Sequence, residues 1–246
     1  VEAIEGVLKS VPVPLDRTIF ILSTTKGNIG FLEKGDPSNP RLDLHAMAAF
    51  ISDKFGFKKH FVVSNACISG VMALTVGKRL IEAGEADHVL VAGVDVLTKF
   101  VVSGFQSLHA LSEEACRPFD ADRKGINLGE AAAAILMTGK PGDLSVVPTI
   151  RFAGTGLSND ANHISGPSRT GVELADAVSQ ALQEAGIGGE QIDFISAHGT
   201  GTPYNDEMEA KAFSLLNLDT TPVHSMKGYF GHTLGAAGVV EVAISA

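Results

Sequence analysis

Three short runs of this chain carry almost no polar side: Thr18–Thr24 (TIFILST), His60–Ser64 (HFVVS) and His88–Val94 (HVLVAGV). A strand with one wet face alternates apolar and polar residues. An unbroken β-branched run is instead covered on both faces. Helix-like stretches separate these runs, so the pattern predicts an α/β fold with mainly parallel pairing. Leu42–Phe55 places Leu44, Met47, Ala48, Phe50 and Ile51 at helical spacing. Ile68–Ala83 reads as a helix with little polar surface before Lys78 and Arg79, and Gly84 stops it.

The same alternation continues downstream. Asn127–Thr138 is ambiguous between strand and helix, and Pro141–Asp143 is the best boundary, giving segments 1–142 and 143–246. Beyond it, Thr149–Gly154 reads as a strand, Gly171–Ala185 as a helix ended by Gly186, and Ile192–Ser196 as a strand. Asp206–Leu215 reads as a helix and Pro222–Ser225 as a short strand. Strand, tight loop and helix thus occur in both segments, once running into Cys67 and once into His198. A structural duplication is expected, without a residue-for-residue repeat.

Composition removes several function classes. Apolar residues make up 45% and charged residues 19%, which excludes disorder. The 27 glycines among 246 residues exceed the usual ~7% and point to tight turns or close backbone contacts. No run of about 18 apolar residues exists, so no membrane span is expected. A net charge of −9 argues against a nucleic-acid binder. Two cysteines cannot build a disulfide framework, and no CxxC pair suggests zinc, so a reducing, cytoplasmic setting is the default. The chain opens on Val1 without a signal pattern and stops inside the apolar run GVVEVAISA, as a piece of a longer protein would.

Cys67 is the first candidate for chemistry. Between a strand and a long apolar helix, its thiol meets the partial positive charge of the helix N-terminus, which favours the nucleophilic thiolate. The alternative is a small buried hydrophobe. Cys116, in SEEACRPFD, reads as structural. A nucleophile needs a partner, and two histidines stand in unusual surroundings: His198 in SAHGTGTPYND and His232 in KGYFGHTLGAAG. The other histidines read as structural, His163 in NDANHISGP least securely. No P-loop and no metal-spaced cluster such as HExxH appears. Gly231, Gly235 and Gly238 approach a dinucleotide turn, but at GxxxGxxG spacing and without a following acidic residue.

The set resembles the β-ketoacyl-acyl carrier protein synthases, the elongating ketosynthases of fatty-acid and polyketide assembly. The resemblance rests on Ser64-Asn65-Ala66-Cys67, Arg117-Pro118-Phe119-Asp120, His198-Gly199-Thr200-Gly201-Thr202-Pro203, Lys227 five residues before His232, and Gly231-His232-Thr233-Leu234-Gly235-Ala236-Ala237-Gly238. Thiolases and chalcone-type synthases share the cysteine but not the last motifs. The resemblance implies a thiolase-like layered αβαβα fold built from two similar halves, incomplete here at both ends, and usually dimeric as a homodimer or with a related subunit. It implies acylation of Cys67 by an acyl carrier protein thioester, then decarboxylative Claisen condensation with a malonyl thioester held by His198 and His232. Lys227 and Glu209 match the family's lysine and carboxylate near these histidines. Thr200 and Thr202 match positions that bond the phosphopantetheine arm of the carrier. Phe105 is a candidate for the acyl pocket, and Asp206 reads as structural. No cofactor beyond that arm and no metal is implied.

The chain departs from its relatives at two points. Asn65-Ala66-Cys67 stands where many relatives have Thr-Ala-Cys, and Gly129-Glu130-Ala131-Ala132 where many have Gly-Glu-Gly-Ala. The C-terminal glycine-rich loop that supplies a second oxyanion donor in the family lies beyond Ala246. Two rival readings are a non-catalytic partner subunit of the same fold, which Cys67 speaks against, and a nucleotide-binding oxidoreductase read from the glycine turn.

Overall fold

A computed structural model describes residues 1–144, 150–161 and 166–246. In chain order its elements are α1 (Glu2–Ser10), β1 (Thr18–Ser23), α2 (Gly30–Glu33), α3 (Leu44–Phe55), β2 (Lys59–Val63), α4 (Ser69–Glu82), β3 (His88–Asp95) and α5 (Lys99–Ser107). These are followed by β4 (Ala131–Thr138), α6 (Val172–Ala185), β5 (Ile195–Ser196), α7 (Pro203–Leu215), β6 (Val223–His224), α8 (Lys227–Phe230) and α9 (Ala237–Ser245). They form two compact units. One comprises Val1–Gly104, Leu128–Ile150 and Thr233–Ala246; the other comprises Phe105–Asn127 and Arg151–His232. Each unit draws on residues from both sides of Pro141–Asp143.

The first unit is built on a sheet of order β2-β1-β3-β4. β1 runs parallel to β2 and β3, and β4 runs antiparallel to β3. Alternate strand residues serve opposite cores. Phe20, Leu22, Leu90 and Ala92 pack with Ile4 of α1 and Ala48 and Ile51 of α3. Ile19, Ile21, Val89 and Val91 pack with Ala73 and Leu74 of α4 and Val239 of α9. Both faces are covered, which is why TIFILS and HVLVAGV lack a polar side; each fully buried Ile, Leu or Phe contributes about 1.5–3 kcal/mol. The expectation of a buried strand at His60–Ser64 needs correction. Among the described residues β2 is an edge strand paired with β1 alone, and Phe61 is 45% exposed.

The helix ends follow their sequence signals. The Asp43 carboxylate accepts from the N–H groups of His45 and Ala46 at the start of α3, and Gly56 ends it at φ +88°. β4 resolves the ambiguity over Asn127–Thr138 in favour of a strand. α9 has no polar side to mark it, because it packs against β3, β4 and α4.

In the second unit, Ala197, Phe213 and Leu218 form the centre of a smaller core, with Val178 and Ile195 against them. The expected strand Ile192–Ser196 shrinks to Ile195–Ser196, because its parallel partner β6 offers only Val223 and His224. The expected strand at Thr149–Gly154 is also not found: Thr149 lies outside the described residues, and 150–154 form no ladder. This segment instead runs against α6. A Cβ on Gly154 would lie 2.1 Å from the Ala181 carbonyl, so only glycine fits there.

Candidate active site

Cys67 belongs to the first unit. β2 ends at Val63, α4 begins at Ser69, and the chain turns sharply between them. Ala66 takes φ +47°, the left-handed region that L side chains rarely adopt. The Ser69 hydroxyl accepts from the Asn65 N–H at 2.7 Å and donates to the Ala66 carbonyl at 2.6 Å. Cys67 forms no disulfide. Its half-buried thiol stands two residues ahead of the first residue of α4.

The glycine turn after His232 also lies in this unit, and it serves the fold. The Gly235 N–H donates to Asp95 Oδ2 at 2.7 Å, and its carbonyl accepts from Ser23 Oγ at 2.6 Å. The buried Asp95 carboxylate accepts further from Thr24 Oγ1, the Thr25 N–H and Thr25 Oγ1. A Cβ on Gly70 would lie 2.6 Å from Val239 N, and one on Gly238 would lie 2.6 Å from Val71 N. The protein's own backbone fills the space that a pyrophosphate would need, so the dinucleotide reading loses its only support.

The histidines belong to the second unit. His198 follows β5, and its imidazole lies edge-on to that of His232, with ring centroids 5.1 Å apart and planes at 88°. Burial, then the Lys227 ammonium, then His232 hold the pKa of His198 well below its ordinary value, so the ring is neutral at pH 7. His232 and Lys227 are each 1% exposed, and Lys227 opens α8. The His232 N–H donates to the Asn127 carbonyl at 2.7 Å. Phe105, on α5, has its ring centroid 6.3 Å from that of His232.

Glu209 of α7 grips the His198 loop by its backbone. One carboxylate oxygen accepts from the His198 N–H at 2.7 Å; the other accepts from the Gly199 N–H at 2.6 Å and Asn205 Nδ2 at 2.8 Å. Burial pushes Glu209 above the usual carboxylate range despite these donors. Thr200 and Thr202 share a hydrogen bond between their hydroxyls at 2.8 Å. Asp206 accepts from the Phe119 N–H at 2.8 Å and the Gly201 N–H at 3.2 Å, a tie between loops. Cys116 is buried, donates its thiol to the Thr200 carbonyl at 3.2 Å, and has its pKa raised by burial. His163 lies outside the described residues.

Sequence reasoning did not find Asn127 or Ser225. Asn127 Oδ1 accepts from the Cys116 N–H at 2.7 Å, and its Nδ2 donates to the carbonyls of Ser112 and Glu114. Ser225 Oγ donates to the Gly199 carbonyl at 2.7 Å. A lone Asn or Ser between glycine-rich loops leaves no periodic or motif signal.

Residues 24–141 match the family model for the β-ketoacyl synthase N-terminal domain, and residues 150–246 match that for its C-terminal domain. The chain belongs to the β-ketoacyl synthase family. A mitochondrial 3-oxoacyl-[acyl-carrier-protein] synthase of Arabidopsis thaliana is 34% identical over 229 residues, covering 84% of this chain and 48% of that protein. Nodulation protein E of Rhizobium leguminosarum bv. trifolii is 35% identical over 233 residues, covering 92% of this chain and 56% of that protein. The chain thus spans about half the length of the curated relatives it matches. Among solved structures, a β-ketoacyl synthase from Burkholderia phymatum superposes with TM-score 0.86 at 27% identity, covering all of this chain and 66% of that one. A ketosynthase from Xenorhabdus doucetiae, solved with its chain length factor, gives TM-score 0.83 at 32% identity over 98% of this chain and 62% of that one. The fold is the thiolase-like α/β fold of the ketosynthases. Among the described residues, no helix is long and apolar enough to cross a membrane.

Proposed function

We propose that this synthase condenses a malonyl-acyl carrier protein with an acyl chain held on Cys67, in fatty-acid or polyketide synthesis. In the first step the Cys67 sulfur attacks the carbonyl of an acyl carrier thioester. A new C–S bond forms, the bond to the pantetheine sulfur breaks, and that sulfur takes up the proton Cys67 has lost. In the second step the malonyl thioester loses CO2. The C–C bond to its carboxylate breaks, and the electron pair moves into an enolate whose charge rests on the thioester oxygen. The enolate carbon then attacks the acyl-Cys67 carbonyl, forms the new C–C bond and expels the Cys67 thiolate.

The edge-on pair of His198 and His232 supports this reading most directly, because His198 is kept neutral beside a buried lysine. A neutral imidazole offers an N–H to an oxygen gaining negative charge, and one such donor is worth roughly 10²–10³ in rate. In this scheme Glu209 fixes the loop that carries His198, and Lys227 sets the field around the ring. Thr200 and Thr202 bond the phosphopantetheine arm, and Phe105 lines the acyl pocket. The arm arrives on the substrate, so no resident cofactor is needed. We assign an acyl carrier protein as partner, a homodimer or a heterodimer with a related subunit as the assembly, and the cytoplasm as the setting. Segments 1–142 and 143–246 then correspond to the two related halves of the thiolase-like fold.

Intact-mass measurement after incubation with acyl carrier thioesters tests the first step: one acyl group is expected on wild type and none on Cys67→Ala. Counting CO2 from labelled malonyl carrier tests the second. His198→Ala and His232→Ala should each slow its release at least about a hundredfold and still accept acyl groups. Wild-type CO2 release from either variant removes that histidine from the scheme.

A further inference from the structure

We propose that Ser69 is a positioning residue for Cys67, its buried hydroxyl holding Ala66 in the left-handed conformation that sets the direction of the thiol. The inference rests on reading Cys67 as the nucleophile. Glycine is the default residue at φ near +47°, yet the chain places alanine there, so something must hold the turn. Ser69 is fully buried, and its hydroxyl is bonded on both sides of the strained residue, to the Asn65 N–H and to the Ala66 carbonyl. The Ser69 N–H also donates to the Ala66 carbonyl, at 3.3 Å. These bonds fasten the Ser64–Asn65 peptide and the Ala66–Cys67 peptide, one on each side of the turn, to the first turn of α4. α4 has no side-chain N-cap, so the hydroxyl serves the turn and not the helix end. Without it, the Asn65 N–H loses its partner, the Ala66 carbonyl keeps only the longer bond from the Ser69 N–H, and the strain at Ala66 favours relaxation toward negative φ. That relaxation rotates the peptide leading into Cys67 and carries the thiol away from the helix end.

The test uses the full protein and four variants: Ser69→Ala, Ser69→Thr, Ala66→Gly, and Ala66→Gly with Ser69→Ala. Three readouts are compared: the pH profile of iodoacetamide labelling at Cys67, the rate of acyl transfer, and circular dichroism to report the fold. Ser69→Ala should slow Cys67 labelling at pH 7 at least about tenfold and move its profile to higher pH. Ser69→Thr keeps the hydroxyl and should stay close to wild type. Glycine adopts positive φ without strain, so Ala66→Gly should restore much of the loss in the double variant while changing wild type little. A folded Ser69→Ala protein with the wild-type profile overturns the proposal, as does a double variant no better than Ser69→Ala. If Ser69→Ala fails to fold, the double variant decides: folding with a recovered profile supports the proposal, and failure to fold overturns it. A wild-type Cys67 that takes no acyl group would instead refute the nucleophile assignment, a separate result.

Discussion

Acid should unfold this protein in a way that reports on His198. In the native state burial, the Lys227 charge and His232 keep that imidazole neutral. In the unfolded chain the same group titrates near pH 6.5. Below that pH the unfolded state binds a proton that the native state refuses, and the equilibrium moves toward unfolding. The contribution of His198 is therefore intact above pH 6.5 and is lost as pH falls from there toward its native pKa. One proton is worth about 1.4 kcal/mol per pH unit, so a loss on the order of 1 kcal/mol is expected between pH 7.5 and 5.5. His198→Asn has nothing to titrate and should not show it. Urea unfolding of both proteins at both pH values isolates the term, because every other titrating group is common to the pair. A stability gap between them that stays constant within about 0.5 kcal/mol would show that His198 is not held neutral. An imidazole resonance of His198 titrating near pH 6.5 would refute it equally.

Iodoacetamide should label Cys67 in the native protein and spare Cys116, whose buried thiol is bonded to the Thr200 carbonyl and held protonated; equal labelling by peptide mass refutes this. Glu209→Gln leaves an amide NH2 facing a backbone N–H of His198 or Gly199, so thermal melts should show a loss of about 1–3 kcal/mol, with decarboxylation slowed more than acylation. Asp95→Ala strands the donors of Thr24, Thr25 and Gly235 and should cost more than about 3 kcal/mol; a loss under about 1 kcal/mol would mean that water or another group replaces the carboxylate. Gly70→Val drives a branched side chain into the Val239 backbone, and no soluble folded protein is expected on expression.

The sheet of the first unit was readable because its strands are buried on both faces, and unbroken β-branched runs leave little else to predict. β2 escaped in part, since an edge position is decided by neighbours that a local window does not contain. Cys67, His198 and His232 stood out through the glycines and small residues around them, which mark places where backbone must pass close to backbone. The residues that hold these loops were silent. Asn127, Ser225 and Asp95 work through partners far away in sequence, and Asp95 reaches Gly235 across most of the chain. Ala66 gave no sign either: an alanine in a glycine conformation is visible only in the torsion angle.

The turn at Gly235–Gly238 has a consequence for reading genomes. Its glycines let α4 and α9 touch and let Asp95 bind the chain; none of them offers a group that could react. A descendant that exchanged Cys67 for an inert residue would keep every one of those contacts and fold as before, with the turn still written in its sequence. A search by that signature therefore gathers shapes, working and silent alike. Under the scheme proposed above, residues 67, 198 and 232 are the ones to inspect before any recovered sequence is credited with making a carbon–carbon bond.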